Sequence, residues 1–207
     1  MSDANIQPLI EQLGNKSSAK RRSAAKKLRK LKVKVAGPAL LAALKIELRD
    51  KRTWETKYHM IMALGESGYV ESLDFLLQLT EQVFEATMVH TAAGDAITTL
   101  EQSHNRAPYS LSIWIDMDKK SLVEGGIRSL AMNKLTPEDA LINKIIDYAQ
   151  QPDNINMDFW VAAASPGWPI NLTNDFLHNC LLLSPLEDTK KAANSALKRK
   201  YLKWNPL

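Results

Sequence analysis

Apolar residues recur at helical spacing along almost the whole chain. Runs of alternating β-branched residues bounded by turn signals, which would indicate strands, are missing from the sequence. The pattern therefore predicts an all-α protein. The predicted helices span residues 6–13, 18–31, 38–49, 53–65, 69–83, 87–102, 110–118, 121–135, 137–150, 156–165, 173–183 and 186–203.

Proline, glycine and small polar residues mark the expected helix ends. Pro38, Pro137 and Pro185 stand where a first helical turn would begin, a position at which proline removes no helical hydrogen bond. Thr173 precedes an apolar run, and Ser184–Glu187 has the spacing of a capping box. The glycines expected at helix ends are Gly14, Gly65 and Gly68.

The second helix of successive helix pairs carries a stripe of small residues that closes on a leucine. The blocks are Arg22–Leu28, Tyr58–Leu64, Gly94–Leu100 and Lys191–Leu197. Leu28, Leu64 and Leu100 are each 36 residues apart, Leu130 follows 30 later, and Leu197 lies 67 beyond it, which leaves room for a unit near Phe159–Ala164. This period predicts stacked helical hairpins, and the alternative is a non-repetitive helical bundle with coincidental spacing.

These blocks resemble the HEAT and HEAT-like repeats. Trp54–Gly65, followed by Glu66, Ser67 and Gly68, resembles the second helix and closing turn of such a repeat, and Arg21–Leu31 is similar. The resemblance covers about two thirds of the chain, and the stretch from Ser103 to Asp118 departs from it. It implies one domain over residues 1–207, a right-handed α-solenoid of about five or six hairpins.

Composition indicates an ordinary globular protein. The chain has 207 residues, of which 45% are apolar and 24% are charged, and a single cysteine, Cys180. No internal disulfide is possible, no secretion signal is present, and no window approaches the roughly 20 apolar residues of a membrane span. We therefore expect a cytoplasmic protein that does not cross a membrane.

Charge is distributed unevenly along the chain. Residues 1–65 carry a balance of +10, residues 66–158 carry −9, and residues 159–207 carry +3, within an overall net charge of +4. The densest basic run, Lys16–Lys34, has ten basic residues and no acid. Such a run either binds phosphates or forms the solvated face of an end helix.

Catalytic and metal-binding motifs are missing from the sequence. The histidines are scattered, His178 and Cys180 point in different directions on a helix, and no phosphate-binding glycine motif or nucleophile elbow occurs. Asp116 and Asp118 form an Asp-x-Asp pair, which fits a helix end or surface contact better than a magnesium site. We expect no enzyme activity, no metal and no cofactor.

A stack of helical hairpins offers an extended surface for recognition, so we expect a non-enzymatic protein-binding module. By architecture it resembles a bacterial immunity protein of the contact-dependent growth inhibition type, which neutralises a toxin one to one. That resemblance implies an acidic surface opposite a nuclease toxin's basic groove. The expected contacts are Glu66, Asp95, Glu101, Asp116, Asp118 and Glu124, with Tyr109 and Trp114 as aromatic anchors.

Nucleic-acid binding is the competing expectation. Trp114, Asp116 or Asp118, and Arg128 superficially resemble the site of the HEAT-like alkylpurine DNA glycosylases, although they lie in the acidic segment. The two basic ends, Lys16–Lys34 and Lys190–Lys203, would alternatively contact only the phosphate backbone, because the first lacks interleaved aromatic residues.

Overall fold

The structure, a computed structural model, describes residues 6–103, 108–154 and 157–203. Within these ranges it is built from α-helices and short 3₁₀ turns, without strands, which confirms the all-α prediction. The helices are α1 (Gln7–Gln12), α2 (Ser18–Leu31), α3 (Gly37–Glu47), α4 (Trp54–Glu66), α5 (Leu73–Leu79), α6 (Met88–Ser103), α7 (Tyr109–Asp116), α8 (Lys120–Asn133), α9 (Asp139–Ala149), α10 (Met157–Ala164), α11 (Ile170–Leu183) and α12 (Glu187–Leu197).

The first half of the chain forms a compact N-terminal unit, Met1–Arg106. Here α1 packs on α2, α3 on α4, and α5 on α6, so that each helix pair forms a hairpin. The second helices also pack on each other, α2 on α4 and α4 on α6. Because α4 lies in the middle of this row, every residue from Thr56 to Gly65 is buried.

The second half forms a compact C-terminal unit, Ala107–Leu207, with the same order of contacts. The hairpins are α7 with α8, α9 with α10, and α11 with α12. The second helices α8, α10 and α12 form one row, and the first helices α7, α9 and α11 form another. Stacked hairpins thus account for each unit, whereas the right-handed solenoid and the single domain stay predictions.

The second helices approach one another across small residues. A Cβ atom on Gly65 would lie 2.6 Å from the Cα atom of Ala96, so no larger residue fits there without moving α4 away from α6. Gly65 therefore serves this close approach rather than the turn that follows α4. The turn falls on Gly68, whose φ of +67° is the left-handed conformation that glycine adopts most readily.

A left-handed residue four positions after a buried leucine ends three of the second helices. The pairs are Leu28 with Lys32, Leu64 with Gly68, and Leu130 with Lys134. This shared geometry supports the predicted register of those three blocks. In α12 the left-handed residue is Arg199, four positions after Ser195. Leu197 therefore lies two positions out of register, and its assignment as a closing leucine is wrong.

Several predicted helix starts differ from the structure. Helix α5 begins at Leu73 and not at residue 69, and two further differences concern predicted N-caps. Helix α11 begins at Ile170, so Thr173 lies inside it, and its hydroxyl donates to the Pro169 carbonyl at 3.2 Å. Ser184 accepts a hydrogen bond from the Leu186 N–H at 3.2 Å, and α12 begins only at Glu187. The predicted capping box does not form, because Glu187 is the first residue of the helix and cannot act from its third position.

Candidate protein-binding surface

Three of the predicted acidic contacts belong to the N-terminal unit, where two are buried and the third, Glu66, forms ion pairs. Asp95 and Glu101 are 4% and 6% exposed on α6. Glu66, at the end of α4, accepts a hydrogen bond from the Arg29 Nε atom at 2.6 Å and lies 3.8 Å from the Lys32 Nζ atom. Asp95 and Glu101 offer a partner no surface, so their predicted role as contacts does not fit the fold.

Opposite charges that are separated along the sequence meet within the N-terminal unit. Basic residues of α2 and the turn after it form ion pairs with acids of α3, α4 and the 3₁₀ turn 70–72 that follows α4. The pairs are Arg21 with Glu47, Arg22 with Glu55, Arg29 and Lys32 with Glu66, and Lys34 with Glu71. Two acids of the −9 segment, Glu66 and Glu71, are thus paired with basic residues of the +10 segment, so part of the charge polarity of the sequence is internal pairing.

The most buried of these pairs joins α2 to α3. Glu47 is 1% exposed, and its two carboxylate oxygens accept hydrogen bonds from Arg21 Nε at 2.5 Å and Ser18 Oγ at 2.8 Å. Burial would raise the pKa of Glu47, but the hydrogen bonds from Arg21, Thr53 and Ser18 outweigh it and lower the pKa. This carboxylate holds hairpins together and is not a binding group.

The rest of the basic run lies on the solvent side of α2. Lys20, Lys26, Lys27 and Lys30 are exposed there, while Ala24, Ala25 and Leu28 fill the opposite face. A row of lysines on one helix face can contact phosphates as point charges. Lys20, Lys26, Lys27 and Lys30 define a lysine face on α2 that makes none of these ion pairs.

Helix α7 of the C-terminal unit has apolar residues on both of its faces. Tyr109, Ile113 and Met117, spaced four residues apart, are 71%, 37% and 53% exposed. Their spacing places them on one side of the helix, and we call them the α7 stripe. Leu111 and Trp114, on the other side, are buried. Scattered exposed apolar residues are ordinary, but a continuous exposed stripe on one helix indicates an interaction surface.

The two aromatic residues predicted as anchors therefore have different roles. Trp114 is 5% exposed and fixes α7 on the rest of the unit, whereas Tyr109 points into solvent. A buried Trp114 cannot enter a pocket of a partner, and its assignment as a partner contact does not fit the fold. Tyr109 keeps the properties expected of an anchor, namely a large apolar ring with a polar tip.

Residues of α9 hold the two aspartates beside the stripe. Lys144 Nζ lies 2.7 Å from the Asp116 carboxylate and also donates to the carbonyl and hydroxyl oxygens of Ser112. The Tyr148 hydroxyl donates to Asp118 Oδ1 at 2.6 Å. Burial and this hydrogen bond raise the pKa of Tyr148, so the phenol remains a donor. Both carboxylates are exposed, and their positions are fixed before any partner binds.

Asp118 also ends α7. Its φ is +51°, the Asp118 N–H donates to the Ile115 carbonyl at 3.1 Å, and the Lys119 N–H donates to the Trp114 carbonyl at 2.9 Å. These two bonds form a Schellman motif, which usually has glycine at the left-handed position. The prediction that the Asp-x-Asp pair is a helix-end and surface feature agrees with this geometry. Glu124, the last predicted contact, is half-buried on α8.

Two kinds of chemical site were considered among the described residues, a metal site and a nucleophilic cysteine. The described residues contain no cluster of three or more His, Cys, Asp or Glu side chains able to hold a metal ion. Cys180 is buried, and burial, together with the charge of Asp158, raises the pKa of its thiol to about 12. The thiol stays protonated at neutral pH and is a poor nucleophile.

Ile113 and Met117 were not predicted from the sequence. Their spacing from Tyr109 was a usable signal, but α7 reads Tyr-Ser-Leu-Ser-Ile-Trp-Ile-Asp, with apolar residues on all sides. The sequence pattern alone therefore did not tell which apolar face is buried.

The described part of the chain contains no helix long and apolar enough to cross a membrane. No family model matches this chain, and neither the curated proteins nor the solved structures contain a significant match to it.

Proposed function

We propose that this chain is a non-enzymatic protein-binding module, built as a HEAT-like α-solenoid. The pattern of helix contacts supports the proposal, since in each unit the second helices pack on one another, as in stacked hairpin repeats. Such a scaffold presents rigid helix faces to a partner. Its use for recognition needs no built-in chemistry.

The observation that carries the proposal is the α7 stripe. Tyr109, Ile113 and Met117 present an aromatic ring, a branched aliphatic chain and a flexible thioether on one exposed helix face. Aromatic residues and methionine are enriched at interface centres, where a partner removes them from water. Asp116 and Asp118 border this face in fixed positions, as charged groups at an interface rim often do.

The partner that fits this surface is a protein with an apolar pocket and a basic rim. A toxin domain with a groove for nucleic acid has such a rim, and we propose that the chain is a cytoplasmic immunity protein that binds such a toxin one to one. The carboxylates of Asp116, Asp118 and Glu124 would guide association, whereas the α7 stripe would supply most of the affinity.

A capture experiment with two matched variants tests this proposal. Tagged chain is used to recover partners from the source cells at near-physiological salt, with and without nuclease. We expect to recover one basic protein in stoichiometric amount, both with and without nuclease. Recovery of this protein should be lost with Ile113→Asp. Val83→Asp is the control, because Val83 is 97% exposed in the N-terminal unit and the same charge is introduced. Equal recovery with both variants would contradict the proposal.

A second candidate function is polyanion binding by the lysine face of α2. The observation that favours it is the exposure of Lys20, Lys26, Lys27 and Lys30 on one side of one helix. Binding to duplex DNA would then weaken steeply with salt, and Lys27→Gln with Lys30→Gln would lower the salt slope by about 2. Affinity that does not change with salt would exclude this function.

A further inference from the structure

The C-terminal unit contains a pocket of about 270 Å³ where α9 and α11 end and α10 begins. Its walls include Phe176 and Leu183 of α11, Gln150 after α9, and Asp158 in the first turn of α10. The volume suits an amino-acid side chain or a small amine and falls below that of pockets for drug-sized ligands.

Asp158 lines this pocket with an unsatisfied polar atom. Its Oδ1 atom is shielded from solvent, and no hydrogen bond reaches it. A buried carboxylate oxygen without a donor is costly, which is consistent with the raised pKa of Asp158, about 6, whose cause is burial. This atom has almost no accessible surface, even toward the pocket, so a ligand in the pocket meets the other carboxylate oxygen of the half-buried side chain.

The pocket is electrostatically suited to a cation. Asp158 is the only charged residue among the described residues that line it, and Gln150, Gln151 and Asn179 are polar residues of the same lining. The pocket also lies at the carboxyl ends of α9 and α11, which are the negative ends of the helix dipoles. An anion would meet only repulsion here, apart from the start of α10.

Part of the pocket lining is apolar. Leu183 belongs to it and is 77% exposed, and Phe176 and Pro185 form neighbouring walls. An exposed leucine beside a carboxylate can contact the stem of a ligand while the carboxylate binds the head group.

We propose that this pocket binds a primary ammonium or guanidinium group carried on an apolar stem. The head group donates hydrogen bonds to the accessible carboxylate oxygen of Asp158, and the stem packs on Leu183 and Phe176. The group belongs either to a free organic amine or to a lysine or arginine side chain of a protein. The inference is independent of the α7 stripe and stands if the proposed toxin partner fails.

Two probes with the same stem separate charge recognition from apolar burial. Hexylammonium and hexan-1-ol are titrated into the full chain near pH 7.5, where Asp158 is ionised, and backbone amide shifts report the affinity. We expect hexylammonium to bind at least about tenfold more tightly, since hydrogen bonds to charged groups exceed neutral ones by this amount. Equal binding of the two probes, or binding of neither, would overturn the proposal.

Three variants assign the effect to this pocket. Asp158→Asn should abolish the preference for the amine while hexan-1-ol still binds, which also shows that the pocket remains folded. Leu183→Ser should weaken both probes severalfold. Leu182→Ser is the matched control, because Leu182 is 78% exposed next to Leu183 but does not line the pocket. A preference that survives in Asp158→Asn would overturn the assignment.

A peptide identifies the source of the cation. Acetyl-Leu-Lys-Leu-amide is compared with hexylammonium and with the same peptide acetylated on its lysine. Tighter binding of the unmodified peptide indicates a protein side chain as the ligand, and tighter binding of hexylammonium indicates a free amine. Binding of the acetylated peptide as tight as that of the unmodified one would contradict a cation site.

Discussion

The two units stack three hairpins in the same order, but their interiors differ in charge. In the N-terminal unit six Lys, Arg, His, Asp or Glu side chains are at most 6% exposed, namely Arg29, Glu47, Lys57, His59, Asp95 and Glu101. Among the described residues of the C-terminal unit, no Lys, Arg, His, Asp or Glu is buried to this degree. Its second helices meet through small residues such as Ala162, Ala193 and Ala196, as those of the N-terminal unit do at Gly65 and Ala96.

The contrast indicates where a partner would bind. The charges of the N-terminal unit hold its own hairpins together, so changing them alters folding before it alters recognition. The described residues of the C-terminal unit contain no such buried charges, and its exposed side chains, such as Tyr109 and Leu183, lie outside its core. We therefore propose that binding uses the C-terminal unit, and the difference between the two interiors leads to four predictions.

The largest effect is expected from breaking the buried ion pair of the N-terminal unit. Arg21→Met leaves the Glu47 carboxylate, 1% exposed, without its charged partner. Removing one member of a buried pair costs about 3 kcal/mol or more in the free energy of unfolding. Arg22→Met is the control, because Arg22 and Glu55 are 38% and 47% exposed and should cost less than about 1 kcal/mol. Urea unfolding measures the free energy of unfolding of both variants. Equal losses would contradict the assignment of Arg21–Glu47 as a buried pair and Arg22–Glu55 as an exposed one.

The second effect concerns the small-residue contacts of the C-terminal unit. Ala193 is 0% exposed on α12, which packs on α10 and α11, so Ala193→Leu forces these helices apart. Overpacking a core in this way costs about 2 kcal/mol. The exposed neighbour Asn194 gives the control, since Asn194→Leu should change the free energy of unfolding by less than about 0.5 kcal/mol. If Ala193→Leu matched that control, the close packing described for α12 would be wrong.

The third prediction concerns pH, because the two units contain groups shifted in opposite senses. Burial, with the charges of Lys26, Arg29 and Arg22, lowers the pKa of His59 from 6.5 to about 4. Between these values the unfolded chain binds more protons than the folded chain, so stability falls as pH falls, by about 2 kcal/mol.

Asp158 acts in the other direction. Its pKa is about 6 in the folded chain and 3.8 as a free side chain, so the folded state binds more protons in this window. Stability from this group therefore rises as pH falls, by about 1 kcal/mol, since the residue is partly exposed to water. The midpoint of urea unfolding is measured between about pH 4.5 and 7.5. The pH dependence assigned to His59 should disappear in His59→Gln, and the pH dependence assigned to Asp158 should disappear in Asp158→Asn. Unchanged profiles in both variants would contradict the burial of these groups.

The smallest effect is expected at the surface of the C-terminal unit. Lys144→Met removes the ion pair with Asp116, whose side chain is 67% exposed. Exposed pairs contribute less than about 1 kcal/mol, so thermal unfolding should change little. The same variant removes the cation beside Asp116, so association with a basic partner should become slightly faster at low salt. A loss of several kcal/mol would show that the pair is structural.

The helices could be predicted from the sequence because their apolar spacing is regular. Helix α2 has the predicted bounds, and α4 and α6 each begin and end within one residue of theirs. The exceptions lie where two signals compete, as at Thr173, where proline at position 169 starts the helix before the hydroxyl residue can cap it. Leu197 was misassigned because the prediction relied on the presence of a leucine and not on the position of the left-handed residue, Arg199.

The candidate site was predictable only in part. Tyr109, Asp116 and Asp118 lie exposed on or beside α7, as expected, whereas Asp95 and Glu101 are buried. The net charge of a segment does not show which of its charges form ion pairs across hairpins. The net charge of −9 on residues 66–158 therefore suggested an acidic surface. The pocket at Asp158 had no sequence signal, because its walls come from three separate helix ends.

Site-specific crosslinking tests the location of binding most directly. A benzophenone amino acid replaces Tyr109 on the α7 stripe, Lys27 on the lysine face or Val83 in the N-terminal unit, and adducts formed in living source cells are identified by mass spectrometry. We predict one stoichiometric protein adduct at position 109, with none at position 83. Adducts confined to position 27, or nucleic acid as the only crosslinked species, would contradict a protein-binding role for the C-terminal unit.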